Sequence, residues 1–90
     1  MRLAVTYDVS DDRNRRRVYR TLERFGAWQQ YSVFELDVSK TERVELEAEL
    51  ADHIDATDGD RVRIYRICRS CQDAITDLGA DPPDETPNVL

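Results

Sequence analysis

Leu3-Ala4-Val5-Thr6-Tyr7, followed at once by Asp8-Val9-Ser10-Asp11-Asp12, is the stretch on which the fold turns. Its first half is β-branched and aromatic, and period-two alternation puts Leu3, Val5 and Tyr7 on one face of a strand. Asp8 then stands at or just past the carboxyl end of that strand. Ser10, Asp11 and Asp12 are cap candidates, and acidic groups there suit the positive end of a helix dipole. A helix is predicted from about Asp12 to Phe25, with Val18, Leu22 and Phe25 inward at i, i+4 and i+7. Gly26 is placed as its left-handed stop.

Outward from this unit, the run 27–37 alternates as strand, with Ser32, Phe34 and Leu36 opposed to Tyr31, Val33 and Glu35. A break near Gln30–Ser32 would divide it into two short strands. Ser39-Lys40-Thr41-Glu42 matches a capping box, in which hydroxyl and carboxylate reciprocally satisfy free N–H groups. The second helix follows, with Val44, Leu46, Ala48, Leu50, Ala51 and Ile54 as a broad inner face. Asp58-Gly59 marks a turn. Residues 61–67 alternate again, setting Val62 and Ile64 opposite Arg63 and Tyr65. A weaker extended stretch covers 73–78. Strand–helix–strand–strand–helix–strand is the ferredoxin-like order, an α+β fold with an antiparallel sheet and helices on one face. The predicted domain is 1–79 with an extra C-terminal strand, and 80–90 is an acidic, proline-rich, disordered tail. A sheet with one open face that keeps apolar side chains implies a homodimer.

Ninety residues suffice for one small domain, in which burial is limited enough for a partner subunit to help. The net charge of −6 argues against nucleic acid, but its distribution does not. Between Arg13 and Arg24 there are six arginines against Glu23 alone, while 41–55 is strongly acidic. A phosphate backbone responds to the field within a Debye length of about 8–10 Å, so one basic and one acidic face is the relevant picture. No apolar run approaches the ~20 residues that cross a bilayer. The first residues turn polar too soon for a secretory signal. A cytoplasmic protein without a membrane partner is expected.

Several segments resemble the family of small CRISPR-associated adaptation proteins that act with the Cas integrase. Tyr7-Asp8-Val9-Ser10-Asp11-Asp12 resembles its first-strand signature, Gln30-Tyr31-Ser32-Val33-Phe34-Glu35 its central hairpin, and Arg61-Val62-Arg63-Ile64-Tyr65-Arg66-Ile67-Cys68 its fourth strand. These segments occur in the expected order over about residues 1–79. The resemblance implies a homodimer in which Asp8 of each subunit faces its twin across the two-fold axis. A divalent ion, Mg²⁺, would be held between them. It implies nuclease activity on single-stranded RNA or duplex DNA within spacer acquisition. It also allows a non-catalytic DNA-binding bridge of the integrase complex. A toxin-type ribonuclease of similar fold is a third reading.

The residues fit this chemistry to different degrees. Phosphodiester hydrolysis needs a hard cation, and Mg²⁺ retains enough water that one or two carboxylates suffice. Asp8 is therefore the candidate catalytic and metal residue, although aspartate also serves turns before helices. Arg15, Arg16 and Arg17 are candidates for phosphate, since guanidinium forks match its oxygens. Arg15 and Arg17 are preferred because their spacing resembles the family's basic positions. Tyr7 and Phe34 are candidates for base stacking if exposed and for sheet packing if not. Cys68-Arg69-Ser70-Cys71 is a lone CxxC. Structural zinc needs four ligands and His53 is the only histidine, so reduced structural cysteines are expected.

Overall fold

The computed structural model describes residues 1–80, and the predicted tail lies, from Asp81 onward, outside them. The elements are β1 (Arg2–Asp8), α1 (Asp12–Phe25), β2 (Gly26–Gln30), β3 (Val33–Asp37) and α2 (Lys40–His53). A 3-10 turn (Ala56–Asp58), β4 (Arg61–Ile67) and the short α3 (Arg69–Asp73) complete them. The strands form one antiparallel sheet in the order β2-β3-β1-β4, the ferredoxin-like arrangement predicted.

Alternation decides which face is covered. Leu3, Val5 and Tyr7 of β1 and Phe34 and Leu36 of β3 turn inward onto Val18 and Leu22 of α1 and Leu46 and Leu50 of α2. Asp11 caps α1, its carboxylate accepting the Asn14 N–H at 2.9 Å. The capping box of α2 is formed in both directions, Ser39 Oγ accepting from Glu42 N–H and Glu42 Oε1 from Ser39 N–H. The two helices join through Glu49, which accepts from the Thr21 hydroxyl at 2.8 Å and from Arg24 at 2.5 Å. Those bonds, Arg24 first, hold the Glu49 carboxyl below its ordinary value of 4.5. A depressed folded pKa stabilises above the unfolded value, and the gain is lost as pH falls through the folded one. Glu49→Gln is thus expected to cost about 0.5 kcal/mol at neutral pH for this partly exposed pair. Urea titrations should show the difference from wild type closing once the pH has fallen through that folded value.

Three expectations are corrected. Gly26 is extended, not left-handed, because β2 starts there without an intervening loop. Its need for glycine is close approach: a Cβ would lie 2.3 Å from the Glu35 carbonyl oxygen and 2.8 Å from Leu36 Cα. Backbone atoms cannot swing aside, so Gly26→Ala is expected to cost about 2 kcal/mol or more, read as a lower urea midpoint at unchanged slope. The inner face of α2 is narrower than predicted, with Val44 70% exposed and Ala48 and Ala51 also outside. Steps of 100° put Val44 and Ala48 each about 200° from Leu46, on the far side of the helix. Finally, the extra strand at 73–78 does not form among the described residues. The chain coils into α3 where it would have to turn back along β4, and Ile75 and Leu78 are left exposed.

Candidate functional site

Register brings the site together. Asp8 ends β1 with its side chain opposite in sense to the buried Tyr7, so it reaches the sheet face that the helices leave open. Antiparallel pairing sets Asp8 across from Arg61, and Thr6 across from Arg63. Thr6, Asp8, Arg61, Arg63 and Tyr65 line an open depression of about 270 Å³, with Tyr7 at its edge. The Asp8 carboxylate makes no hydrogen bond or ion pair among the described residues, which leaves its oxygens available. Arg63 stacks over the Tyr65 ring at 5.1 Å, and Tyr65 is 47% exposed. The result is one carboxylate beside two guanidinium groups and an accessible aromatic face.

The loop after Asp8 is held from two sides. Asp60, a buried carboxylate, accepts from Ser10 N–H at 3.3 Å and from Asp55 N–H at 2.9 Å. Arg15 donates to the Val9 and Ser10 carbonyls at 3.2 and 3.3 Å, and also pairs with Asp12. Its guanidinium is thereby engaged in clamping the β1–α1 loop, which leaves it fewer free donors for a phosphate than Arg16 or Arg17 has. Arg16 and Arg17 are exposed, and with Arg13 and Arg20 they make no ion pair among the described residues. At 100° per residue these four and Arg24 share an arc of about 100° on α1. This basic stripe sits on the helix layer, on the opposite side of the sheet from Asp8.

Of the two alternatives for Tyr7 and Phe34, stacking if exposed and sheet packing if not, burial selects packing. Tyr7 is 7% exposed and Phe34 fully buried, their centroids 6.4 Å apart, with Tyr19 edge-on to Phe34 at 5.1 Å. Burial pushes the Tyr7 phenol above its usual range, against a hydrogen bond with Ser32. The exposed aromatics are Tyr31, Tyr65 and, at 36%, Trp28. Tyr31 is 88% exposed in the β2–β3 turn, at a φ of 42° where glycine or asparagine is the cheaper choice. Trp28 donates its Nε1–H to the Tyr31 carbonyl at 2.8 Å and braces that turn. A second depression, of about 350 Å³, lies between Tyr31, Ser32, Tyr19, Tyr7, Arg15 and Arg16. Cys68 and Cys71 are both free thiols, in line with the reduced state expected, and both are exposed. His53 lies on α2 near Glu49, away from the open sheet face.

Whether these residues suit Mg²⁺ depends on ligand number. No group of three or more His, Cys, Asp or Glu side chains is gathered among the described residues. One exposed, unpaired carboxylate is a fit for half of a two-carboxylate, water-rich site, which a second copy of the chain would complete. Arg61 and Arg63 oppose a bare cation there and favour one that arrives with phosphate. Among the described residues no helix is long and apolar enough to cross a membrane.

Known proteins are similar to this chain in sequence and in fold. The family model for CRISPR associated protein Cas2 matches residues 1–75. A CRISPR-associated endoribonuclease Cas2 of Methanospirillum hungatei is 49% identical over all of this chain and 99% of its own length. One from Chloroflexus aurantiacus is 39% identical over 91% of this chain and 88% of its own. Among solved structures, Cas2 of Streptococcus pyogenes at pH 6.5 superposes with a TM-score of 0.77 at 31% identity, covering 88% of this chain and all of that one. The Cas2 fold also matches a chain of a partial Cas6-RT-Cas1–Cas2 complex, with a TM-score of 0.73 at 24% identity, covering 94% of this chain and 98% of that one. With a family match over most of its length and a relative nearly half identical from end to end, this chain belongs to the CRISPR-associated Cas2 family.

Proposed function

We propose that the chain is a dimeric, metal-dependent endonuclease of spacer acquisition, cutting phosphodiester bonds in single-stranded RNA or duplex DNA alongside a Cas integrase. The observation that carries this reading is the unpaired Asp8 carboxylate in one depression with Arg61, Arg63 and Tyr65. The relatives' name, endoribonuclease, supports the same class of reaction. Two copies joined across the open sheet face bring two Asp8 carboxylates together as ligands for Mg²⁺. Bound there, Mg²⁺ supplies charge neutralisation at the phosphate and a more acidic water. Arg61 and Arg63 draw the phosphate in and orient it with paired N–H donors. Tyr65 gives a neighbouring base a surface to stack on. The test is cleavage of labelled duplex DNA and single-stranded RNA with Mg²⁺ or EDTA, wild type beside Asp8→Asn. Cutting that needs the metal and is lost in the variant supports the reading. Equal cutting by both proteins, or none by either, would sink it.

The α1 stripe favours a second role, a structural bridge that grips duplex phosphates for the integrase without cutting. Arg13, Arg16, Arg17 and Arg20 face away from Asp8, where a duplex on the helix layer would meet them. Each phosphate contact steepens the salt dependence by about 0.9 log units per log salt on duplex DNA. Arg16→Ala with Arg17→Ala is expected to flatten that slope by about 1.8 while leaving cleavage intact at low salt. An unchanged slope in filter binding removes the stripe from DNA contact. Asp8→Asn protein that still supports spacer acquisition would assign the bridging role.

A further inference from the structure

Cys68-Arg69-Ser70-Cys71 takes no part in the site described. Both thiols are free and exposed at the junction of β4 and α3. Cys68 Sγ accepts the Cys71 N–H at 3.3 Å and lies 3.2 Å from Ser70 Oγ. The Cys71 thiol is also within hydrogen-bonding reach of that sulfur. Residues three apart on a helical turn have Cβ atoms about 5–6 Å apart, and a disulfide brings them to about 3.5–4.5 Å, an approach of about 1–2 Å. Closing a bond between them therefore asks for a slight tightening of one turn and no rearrangement of the sheet.

We propose that Cys68 and Cys71 are a redox-active dithiol, Cys68 attacking and Cys71 resolving, which small-molecule disulfides oxidise to an intramolecular disulfide. The Cys68 thiolate attacks one sulfur of R–S–S–R, forming a mixed disulfide and expelling one thiolate, which takes up a proton. Cys71 then loses its proton, attacks the Cys68 sulfur and expels the second thiolate, also protonated. Two protein thiols are oxidised and one small disulfide is reduced to two thiols. The division of labour follows from the contacts. Hydrogen bonds from the Ser70 hydroxyl, then from Cys71, hold Cys68 down at about 7, and the same contact pushes Cys71 up.

Near neutral pH half of Cys68 is then thiolate, against about 3% for an ordinary thiol of pKa about 8.5. Lower intrinsic nucleophilicity takes back about fivefold of that gain, leaving Cys68 about threefold faster than an ordinary thiol. The full chain, reduced, is treated with oxidised glutathione and followed by intact mass and by the pH dependence of iodoacetamide labelling at each cysteine. Expected are a monomer lighter by two hydrogens, a Cys68 labelling midpoint near 7, and Cys71 reacting more slowly. Cys71→Ser should stop at a single glutathione adduct and Cys68→Ser should react slowest. Both substitutions are at exposed positions, and circular dichroism checks that they fold. Equal labelling profiles for the two thiols, stable adducts on both, or disulfides only between chains would overturn the proposal.

Discussion

Phe34→Ala is expected to lower stability by about 3–5 kcal/mol, the usual cost of emptying a buried aromatic site. A domain of this size has roughly 5–13 kcal/mol in all, so the variant would stand near the edge of folding. The central position of β3 explains the size of the effect. Phe34 pairs with Val5 of β1 on one side and Trp28 of β2 on the other, and its ring meets those of Tyr7 and Tyr19. Strands on both sides and α1 above are fixed by backbone bonds, so little can collapse into the space. Phe34→Leu keeps most of the volume and should cost appreciably less, about 1–1.5 kcal/mol. Urea melts of the three proteins give the comparison. A Phe34→Ala protein as stable as Phe34→Leu would mean that the core rearranges and that Phe34 does not organise it.

What could be read in the sequence was local. Alternation in Leu3-Ala4-Val5-Thr6-Tyr7, the Ser39–Glu42 box and the bounds of α1 each depend on neighbours a few residues away, and the structure has them as predicted. The misreadings are nonlocal. Gly26 looks like a helix stop until Glu35, nine positions on, is found against its α-carbon. The partners of Asp8 in its depression, Arg61 and Arg63, lie more than fifty residues away and are set by the β1–β4 register. Alternation in β4 puts Arg61, Arg63 and Tyr65 on one face, and that signal was available. Only the register says which residue of β1 they meet. For Arg15 the basic spacing is visible in the sequence, while the Val9 and Ser10 carbonyls that engage its guanidinium are not. Asp60 carries no signal of its role, since a single acid beside a turn makes no pattern.

Asp8→Asn is expected to reduce the rate of cleavage by on the order of a hundredfold or more at saturating substrate. Lewis-acid assistance to a phosphoryl oxygen contributes several kcal/mol, and each 1.36 kcal/mol is tenfold in rate. An amide keeps the shape of the side chain and loses its charge, so the loss belongs to the ligand and not to the fold. Because Asp8 is exposed and makes no ion pair among the described residues, the variant's urea midpoint should match wild type. Arg63→Ala separates binding from chemistry. Its guanidinium, stacked on Tyr65, is proposed to hold the phosphate in ground and transition states alike, which raises KM more than it lowers kcat. Arg15→Ala should instead lower stability and affect cleavage only through the loosened β1–α1 loop, so added Mg²⁺ would not restore it. The three variants thus predict three signatures: kcat lost at constant stability, KM raised at constant stability, and stability lost. Asp8→Asn protein that cuts as fast as wild type, with its metal dependence intact, would place the metal elsewhere and leave the Arg61–Arg63 depression as a binding surface alone.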